Sequence, residues 1–96
     1  MSFDIQHDPD ARRFQTTVDG VHCLLDYTLA DGIMTITHTR VPAEVGGRGV
    51  ASALVQAAMD TARQRGWQVL PACHYADAWL KRHAGYQTLR AGPAPR

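Results

Sequence analysis

The sequence lacks the features that would place it in several large classes of protein. It has two cysteines, Cys23 and Cys73, and no CxxC pair, so neither a zinc ribbon nor a thioredoxin-type site is expected. No apolar run approaches the ~18 residues of a membrane span. The start of the chain, MSFDIQHDPDARR, does not have the basic and then apolar order of a signal peptide. We therefore expect a cytoplasmic protein whose thiols stay reduced.

The chain also has little net charge. Its formal net charge is +1, which predicts neither a nucleic-acid partner nor a membrane partner. Six of the nine acidic residues precede position 32, and nine of the ten basic residues are arginine, so the later part of the chain is the basic part. An anionic ligand is therefore more plausible there. The five histidines show no ligand spacing, and no metal site is predicted.

Length and composition predict one globular domain over residues 1–96, with flexible ends at 1–10 and 91–96. Strands are predicted from Arg12 to Val18, from Val21 to Leu29 and from Ile33 to Thr39, because these runs are rich in β-branched and aromatic residues. The dipeptides DG at 19–20 and at 31–32 separate them, and each is a strong hairpin signal. In the third strand, Met34, Ile36 and His38 are expected on one face.

The second half of the sequence contains helical patterns as well as a strand. The spacing of Val50, Leu54 and Ala58 predicts an amphipathic helix that ends at Gly66. A short strand, WQVLP, and a second helix, HYADAWLKRH, follow it. The strand comes directly after a helix, so we expect it to lie parallel to the strand before that helix. The order β-β-β-α-β-α indicates an α/β (α+β) domain with an antiparallel meander, a helix, a parallel strand and a helix.

The segment EVGGRGVASALVQAA carries three glycines just before the first helix. The unpaired N–H groups of a helix start can bind a phosphate, and glycines let a ligand approach the backbone closely. The segment matches neither the P-loop, because Val50 follows Gly49, nor the dinucleotide motif, because Ser52 stands where a third glycine is required. Spacing alone leaves two readings open, an anion cradle and a flexible turn that lets the helix begin.

The residues from Thr37 to Leu89 resemble the short-chain branch of the GNAT acetyltransferase superfamily. The resemblance rests on a strand that ends in HTRVP, the glycine loop with its helix, a strand that ends in PAC, and a helix that runs into RHAGYQTL. It covers over half of the chain, and the three preceding strands fit the family's β-meander. It implies the GNAT-like fold, with coenzyme A as the ligand of the glycine loop.

In that family the loop motif reads Arg/Gln-x-x-Gly-x-Gly/Ala and holds the pyrophosphate of coenzyme A. Laid on this chain it begins at Gly46, and Gly49 and Ala51 match it. Gly46 stands where the family usually has Arg or Gln, and Arg48 is the candidate replacement for the missing charge. The coenzyme-binding residues that the resemblance implies are Val41, Gly46, Gly47, Arg48, Gly49, Val50 and Ala51.

Cys73 and His38 are the candidate catalytic residues. Cys73 follows the parallel strand and precedes a helix, a position that lowers the pKa of a thiol, and the resemblance places a cysteine there. It could accept the acetyl group as a nucleophile or only line the acyl site. His38 could act as a general base for an amine or for Cys73, or it could be a histidine at the edge of the core. Tyr75 is a weaker candidate for protonating the departing thiolate.

The resemblance implies an acetyl-CoA-dependent N-acetyltransferase that moves an acetyl group to an amine, directly or through acetyl-Cys73. The amine could belong to a small molecule or to a protein, because the chain has little sequence with which to build an acceptor site. The alternative is a coenzyme A-binding module without turnover, or a regulatory interaction domain. A monomer and a dimer both remain open.

Overall fold

A computed structural model describes residues 3–91 of the chain. Five strands and two α-helices follow one another, with short 3₁₀ helices after the fourth strand and after the second helix. The strands are β1 (Gln6–Asp8), β2 (Arg13–Val18), β3 (Val21–Ala30), β4 (Ile33–Arg40) and β5 (Gln68–Pro71), the helices are α1 (Val50–Arg65) and α2 (His74–Arg82), and the 3₁₀ helices are Ala43–Val45 and Ala84–Leu89.

The five strands form one sheet in the order β1-β2-β3-β4-β5. β1 to β4 are antiparallel, and β4 and β5 are parallel because α1 crosses over between them. Asp19 and Asp31 have left-handed φ values of 52° and 53°, and a left-handed glycine follows each of them. This is the geometry of a two-residue hairpin turn. The predicted fold class is confirmed, including the parallel final strand.

Both ends of the chain are more ordered than the sequence suggested. Gln6–Asp8, within the expected flexible lead-in, pairs with β2 and becomes the edge strand. Ala91, expected to begin a flexible tail, donates its N–H to the carbonyl of Val69 at 2.7 Å. This strand was not predicted, because three residues are too few to show a hydrophobic period. The rest of the two expected flexible segments, residues 1–2 and 92–96, lies outside the described residues.

Both helices cover the same face of the sheet. The covered face carries Phe14, Thr16, Cys23, Leu25, Tyr27, Met34, Ile36, Val69 and Pro71, all of them buried. The buried residues of α1 and α2 belong to the same hydrophobic cluster as these strand residues. The Trp79 indole N–H of α2 also donates to the Ser52 hydroxyl of α1 at 2.8 Å. The opposite face, which we call the open face, has no buried side chain, and Leu70 on it is 44% exposed.

A β-bulge at Thr37 changes which side chains of β4 face the helices. Tyr27 pairs with Ile36, but the next residue back, Asp26, pairs with His38, so Thr37 is left over. Its hydroxyl donates to the carbonyl of Asp26 at 3.3 Å. His38 therefore lies on the open face, exposed, and not with Met34 and Ile36 as strict alternation predicted. The residue that reaches the helix-covered face is Thr39, which pairs with buried Leu25.

An aromatic cluster ties β1 to the sheet. The ring of His7 stacks on that of Phe14 at 4.1 Å, and its Nε2 lies 2.7 Å from the hydroxyl of Tyr27. Burial lowers the pKa of His7, and the nearby positive charge of Arg65 lowers it further. The folded protein therefore favours the neutral imidazole, whereas the unfolded chain titrates near the ordinary value of 6.5.

This cluster predicts that the free energy of unfolding decreases as the pH falls. Below pH 6.5 the unfolded chain binds a proton at position 7 that the folded chain resists, so the free energy of unfolding decreases as the pH falls from 7.5 to 5.5. His7→Gln should lose about 1 kcal/mol at pH 7.5 through the lost ring stacking, and its pH dependence over this range should be shallower. Urea unfolding at both pH values measures this. His22→Gln, a substitution on the open face, is the control, and an equal slope in all three proteins would contradict the prediction.

Candidate functional site

A cleft opens where the end of β4 meets the starts of α1 and α2. Its volume is about 290 Å³, and it is lined by Val41, Gly46, Gly47, Gly49, Val50, Ala51, Ser52 and Tyr75. Six of the seven residues predicted to bind the coenzyme are therefore brought together around one cavity. Arg48 does not line it, and Ser52 and Tyr75 are additions to the predicted set.

The cleft opens here because β4 and β5 stop pairing. Their parallel ladder ends with Ile36 opposite Pro71, and the N–H of Ala72 turns back to the carbonyl of Leu70 at 3.0 Å instead of reaching β4. The last link is the N–H of Cys73, which donates to the carbonyl of Ile36 at 2.9 Å. β4 runs on to Arg40 without a partner from β5. The carboxyl ends of two parallel strands thus part at one edge of the sheet, which is where ligand crevices form in α/β folds.

The glycine loop is held in shape by its own backbone and by one buried side chain. The N–H of Gly46 donates to the carbonyl of Ala43 at 3.1 Å, which closes the 3₁₀ helix, and Val45 is buried beneath it. Gly47 and Gly49 have φ values of +79° and +86°. Any other residue would strain at either position, although an added Cβ would meet no atom within 4 Å. Glycine is required here by conformation, and the space above the loop is left open.

The first turn of α1 has an uncompensated positive end. Gly49 is its N-cap, so no side chain caps its free N–H groups, and the turn contains no acidic residue. These N–H groups and the helix dipole favour an anion at the floor of the cleft. Val50 and Ala51, which begin the helix, both line the cavity.

The side chain of Arg48 points away from this floor. Its guanidinium forms an ion pair with the carboxylate of Asp19, in the turn between β2 and β3. From the family motif we expected Arg48 to replace the charge that is missing at position 46, where the family usually has Arg or Gln. In this structure only its backbone belongs to the loop, because the side chain is held by a residue that no local pattern could have identified.

Cys73 lies beside the cleft as the N-cap of α2. Its sulfur is 3.6 Å from the hydroxyl oxygen of Thr39, to which the thiol donates, and the residue is half-buried. Burial raises the pKa of this thiol, but stabilisation of the thiolate by the N–H of Ala76 and by the hydroxyl of Thr39 outweighs it, with a further contribution from the N–H of Tyr75. These amides do not form a capping hydrogen bond with the sulfur. The net pKa of Cys73 is lowered, whereas burial alone raises that of Cys23.

His38 and Cys73 are not brought together. The bulge at Thr37 places His38 on the open face, while Thr39 contacts the thiol from the helix-covered side. Thr39 is thus the neighbour of Cys73 that the sequence did not reveal, because a one-residue bulge leaves no mark on composition. Tyr75 lines the cleft and is 39% exposed.

Within residues 3–91 there is no group of three or more His, Cys, Asp or Glu side chains that could hold a metal ion. No helix in this described part of the chain is long and apolar enough to cross a membrane.

Comparisons with known proteins agree with this geometry. The family model described as GCN5-related N-acetyl-transferase matches residues 13–89. Protein NATD1 of Mus musculus is 30% identical over 80 residues, which cover 80% of this chain and 73% of that protein. The solution structure of a GCN5-like candidate N-acetyltransferase from Staphylococcus aureus superposes with a TM-score of 0.75 at 25% identity, covering 96% of this chain and 91% of that one.

A more distant likeness concerns the fold alone. The ribosomal-protein-alanine N-acetyltransferase of Brucella melitensis superposes with a TM-score of 0.50 at 20% identity, over 88% of this chain and 65% of that one. The overall fold is therefore shared with that longer chain, and the match over residues 13–89 shows that this chain belongs to the GCN5-related N-acetyltransferase family.

Proposed function

We propose that this protein is an acetyl-CoA-dependent N-acetyltransferase that moves an acetyl group to an amine. The observation that carries the proposal is the position of the cleft between two chain segments. Val41 and Tyr75 line it, and the contact between Thr39 and Cys73 lies two residues earlier on each segment. An anion site and an ionisable thiol are thus neighbours along one edge of the sheet.

The residues of the loop fit the pyrophosphate of coenzyme A. The backbone amides of Arg48, Gly49, Val50 and Ala51 would hold it, and the glycines at 47 and 49 allow its oxygens to approach the backbone. Val41 and Tyr75 provide the walls along which the rest of the coenzyme would lie. Bound there, the coenzyme would supply an acetyl group activated as a thioester.

Two routes to the amine remain, and Cys73 distinguishes them. In the covalent route the thiolate of Cys73 accepts the acetyl group as the coenzyme thiolate leaves and takes up a proton. The amine then attacks acetyl-Cys73, loses its own proton and releases the Cys73 thiolate again. In the direct route the amine attacks without a cysteine intermediate. The lowered pKa of Cys73 and its contact with Thr39 favour the covalent route.

The position of His38 does not favour a role toward Cys73, nor toward an amine that attacks acetyl-Cys73. This histidine lies on the open face, where it pairs across the strands with Asp26, and the thiol lies on the other side of β4. As a general base His38 therefore belongs to the direct route, where the amine need not contact Cys73. Tyr75 could protonate the departing thiolate, because it lines the cleft.

The second candidate is a coenzyme A-binding module without turnover. The uncovered sheet face favours it, since only a short loop separates β1 from β2 and no helix covers the open face within the described residues. The acceptor site would then be missing or would be completed by another protein. An amine on a protein surface, or a second copy of the chain, would suit such an open site.

The covalent route predicts an acetylated protein, which can be detected by its mass. Incubation with acetyl-CoA and no amine should add one acetyl group to the intact protein. Cys73→Ala should abolish the adduct, because no other described thiol lies at the cleft, and Cys23→Ala should retain it. Intact-mass spectrometry measures both. An adduct that survives in Cys73→Ala would contradict the route. Binding of coenzyme A with no transfer to any amine or protein would favour the module.

The two thiols should also differ in reactivity with pH. We expect iodoacetamide to alkylate Cys73 with a midpoint below the ordinary thiol value of about 8.5, because the amides at the start of α2 and the hydroxyl of Thr39 favour its thiolate. Cys23 should react more slowly and at higher pH, since it is buried. Thr39→Val should move the Cys73 midpoint upward. Peptide mapping over a pH series resolves the two sites, and coincident midpoints in the native protein would contradict the prediction.

Restoring the family's usual residue at position 46 should tighten coenzyme binding. Gly46 has an extended backbone that any residue can adopt, and an added Cβ would meet only backbone atoms of Ala43, the nearest being its carbonyl oxygen at 3.4 Å. Gly46→Arg should lower the Kd for coenzyme A about 5-fold, or ~1 kcal/mol, through a charge-assisted phosphate contact. Gly46→Ala is the matched control, because it makes the same backbone change without the charge. Equal affinities in the two variants, by calorimetry, would contradict the prediction.

A further inference from the structure

The turn between β2 and β3 is linked to the glycine loop by a single ion pair. The guanidinium of Arg48 donates to the carboxylate of Asp19, which lies 29 residues earlier in the chain. Both side chains are open to solvent, with 47% of the Arg48 side chain and 66% of the Asp19 side chain exposed. An ion pair this exposed contributes little to the stability of the fold.

Arg48 is the only basic residue between Val41 and Ala62, the stretch that contains the loop and most of α1. Its side chain does not line the cleft. While Asp19 holds it, an anion in the cleft meets the backbone amides and the helix dipole but not the guanidinium.

We propose that Asp19 lowers the affinity of the cleft for coenzyme A by holding Arg48 away from it, and that the bound pyrophosphate draws the guanidinium from Asp19 to itself. This inference rests on the proposed function, since it requires the pyrophosphate to lie on the loop. An exposed ion pair contributes little stability. A guanidinium paired with a phosphate forms stronger, often bidentate hydrogen bonds. The exchange of partners is therefore favourable.

The proposal makes Asp19 a determinant of ligand affinity, although it would touch neither the ligand nor the reacting atoms. Its effect passes through Arg48, so it should disappear when Arg48 is removed. A merely structural turn residue would not behave in this way. Replacing such a residue would change the free energy of unfolding, and any change in coenzyme affinity would be the same with and without Arg48.

The geometry of the turn permits the charge of Asp19 to be removed without a change in the backbone conformation. Asp19 has a left-handed φ of 52° and is followed by Gly20 at 76°, and asparagine adopts this conformation as readily as aspartate. Asp19→Asn therefore removes the charge and keeps the hairpin. The turn at the other end of β3 is a matched control, because Asp31 and Gly32 have φ values of 53° and 75°. Asp31 makes no ion pair within the part of the chain that the structure describes.

The first test is calorimetric titration of coenzyme A into the native protein, Asp19→Asn and Asp31→Asn at low salt. We expect Asp19→Asn to bind about 3- to 10-fold more tightly, a range typical of one exposed charge contact, and Asp31→Asn to bind as the native protein does. The gain should shrink at high salt, because exposed charges are screened. Urea unfolding of each variant verifies the fold, and Asp19→Gly, which also accepts a left-handed φ, provides a second uncharged turn.

The second test repeats the titration in an Arg48→Gln background. The gain from Asp19→Asn should fall to less than about 2-fold there, because no guanidinium is left to release. Native binding with no tightening in Asp19→Asn overturns the inference and leaves the proposed function intact. So does a gain that persists in full without Arg48. If neither the native protein nor any variant binds coenzyme A, the proposed function and the inference both fall.

Discussion

The parting of β4 from β5 is the constraint on which the rest of the site depends. The parallel ladder ends with Pro71 because the N–H of Ala72 turns back to the carbonyl of Leu70, and the N–H of Cys73 makes the last bond, to Ile36. This bond fixes where α2 begins and therefore where the thiol lies. It also leaves the last residues of β4 free on one side, so that Val41 can line a cavity instead of pairing with β5.

The bulge at Thr37 is the second determinant, because it selects which residue of β4 meets the thiol. Without it, alternation would turn His38 toward the helices and Thr39 toward the open face. With it, a hydroxyl contacts Cys73 and an imidazole faces the uncovered side of the sheet. A hydroxyl can donate a hydrogen bond to a thiolate while carrying no charge itself, whereas an imidazolium would form an ion pair with the thiolate. The bulge thus places His38 and Cys73 on opposite sides of β4.

Sequence reasoning recovered the elements whose signals are local. A few neighbouring residues are enough to predict each of three features: the two Asp-Gly turns, the end of a helix at Gly66, and the end of β5 at a proline. The loop residues of the cleft were identified through the resemblance of the loop to the family motif, which Gly49 and Ala51 match, because spacing alone left a flexible turn equally open. Three features were not found: β1, the neighbour of Cys73 and the partner of Arg48. Each depends on register or on a contact between distant parts of the chain, and a single sequence carries no record of either.

The electrostatics of the cleft follow from the way a small sheet places its helices. α1 and α2 each begin after the carboxyl end of a parallel strand, so their positive ends lie at the same edge. The two ends are not equally compensated. The first turn of α2 contains Asp77, whose charge is already balanced by Lys81 and Arg90. The first turn of α1 contains no acid and no capping side chain. An anion therefore gains most at α1, and the thiolate of Cys73, at the start of α2, lies at the neighbouring positive end. The groups that favour an anion in this cleft are therefore backbone amides at the start of α1 and not charged side chains.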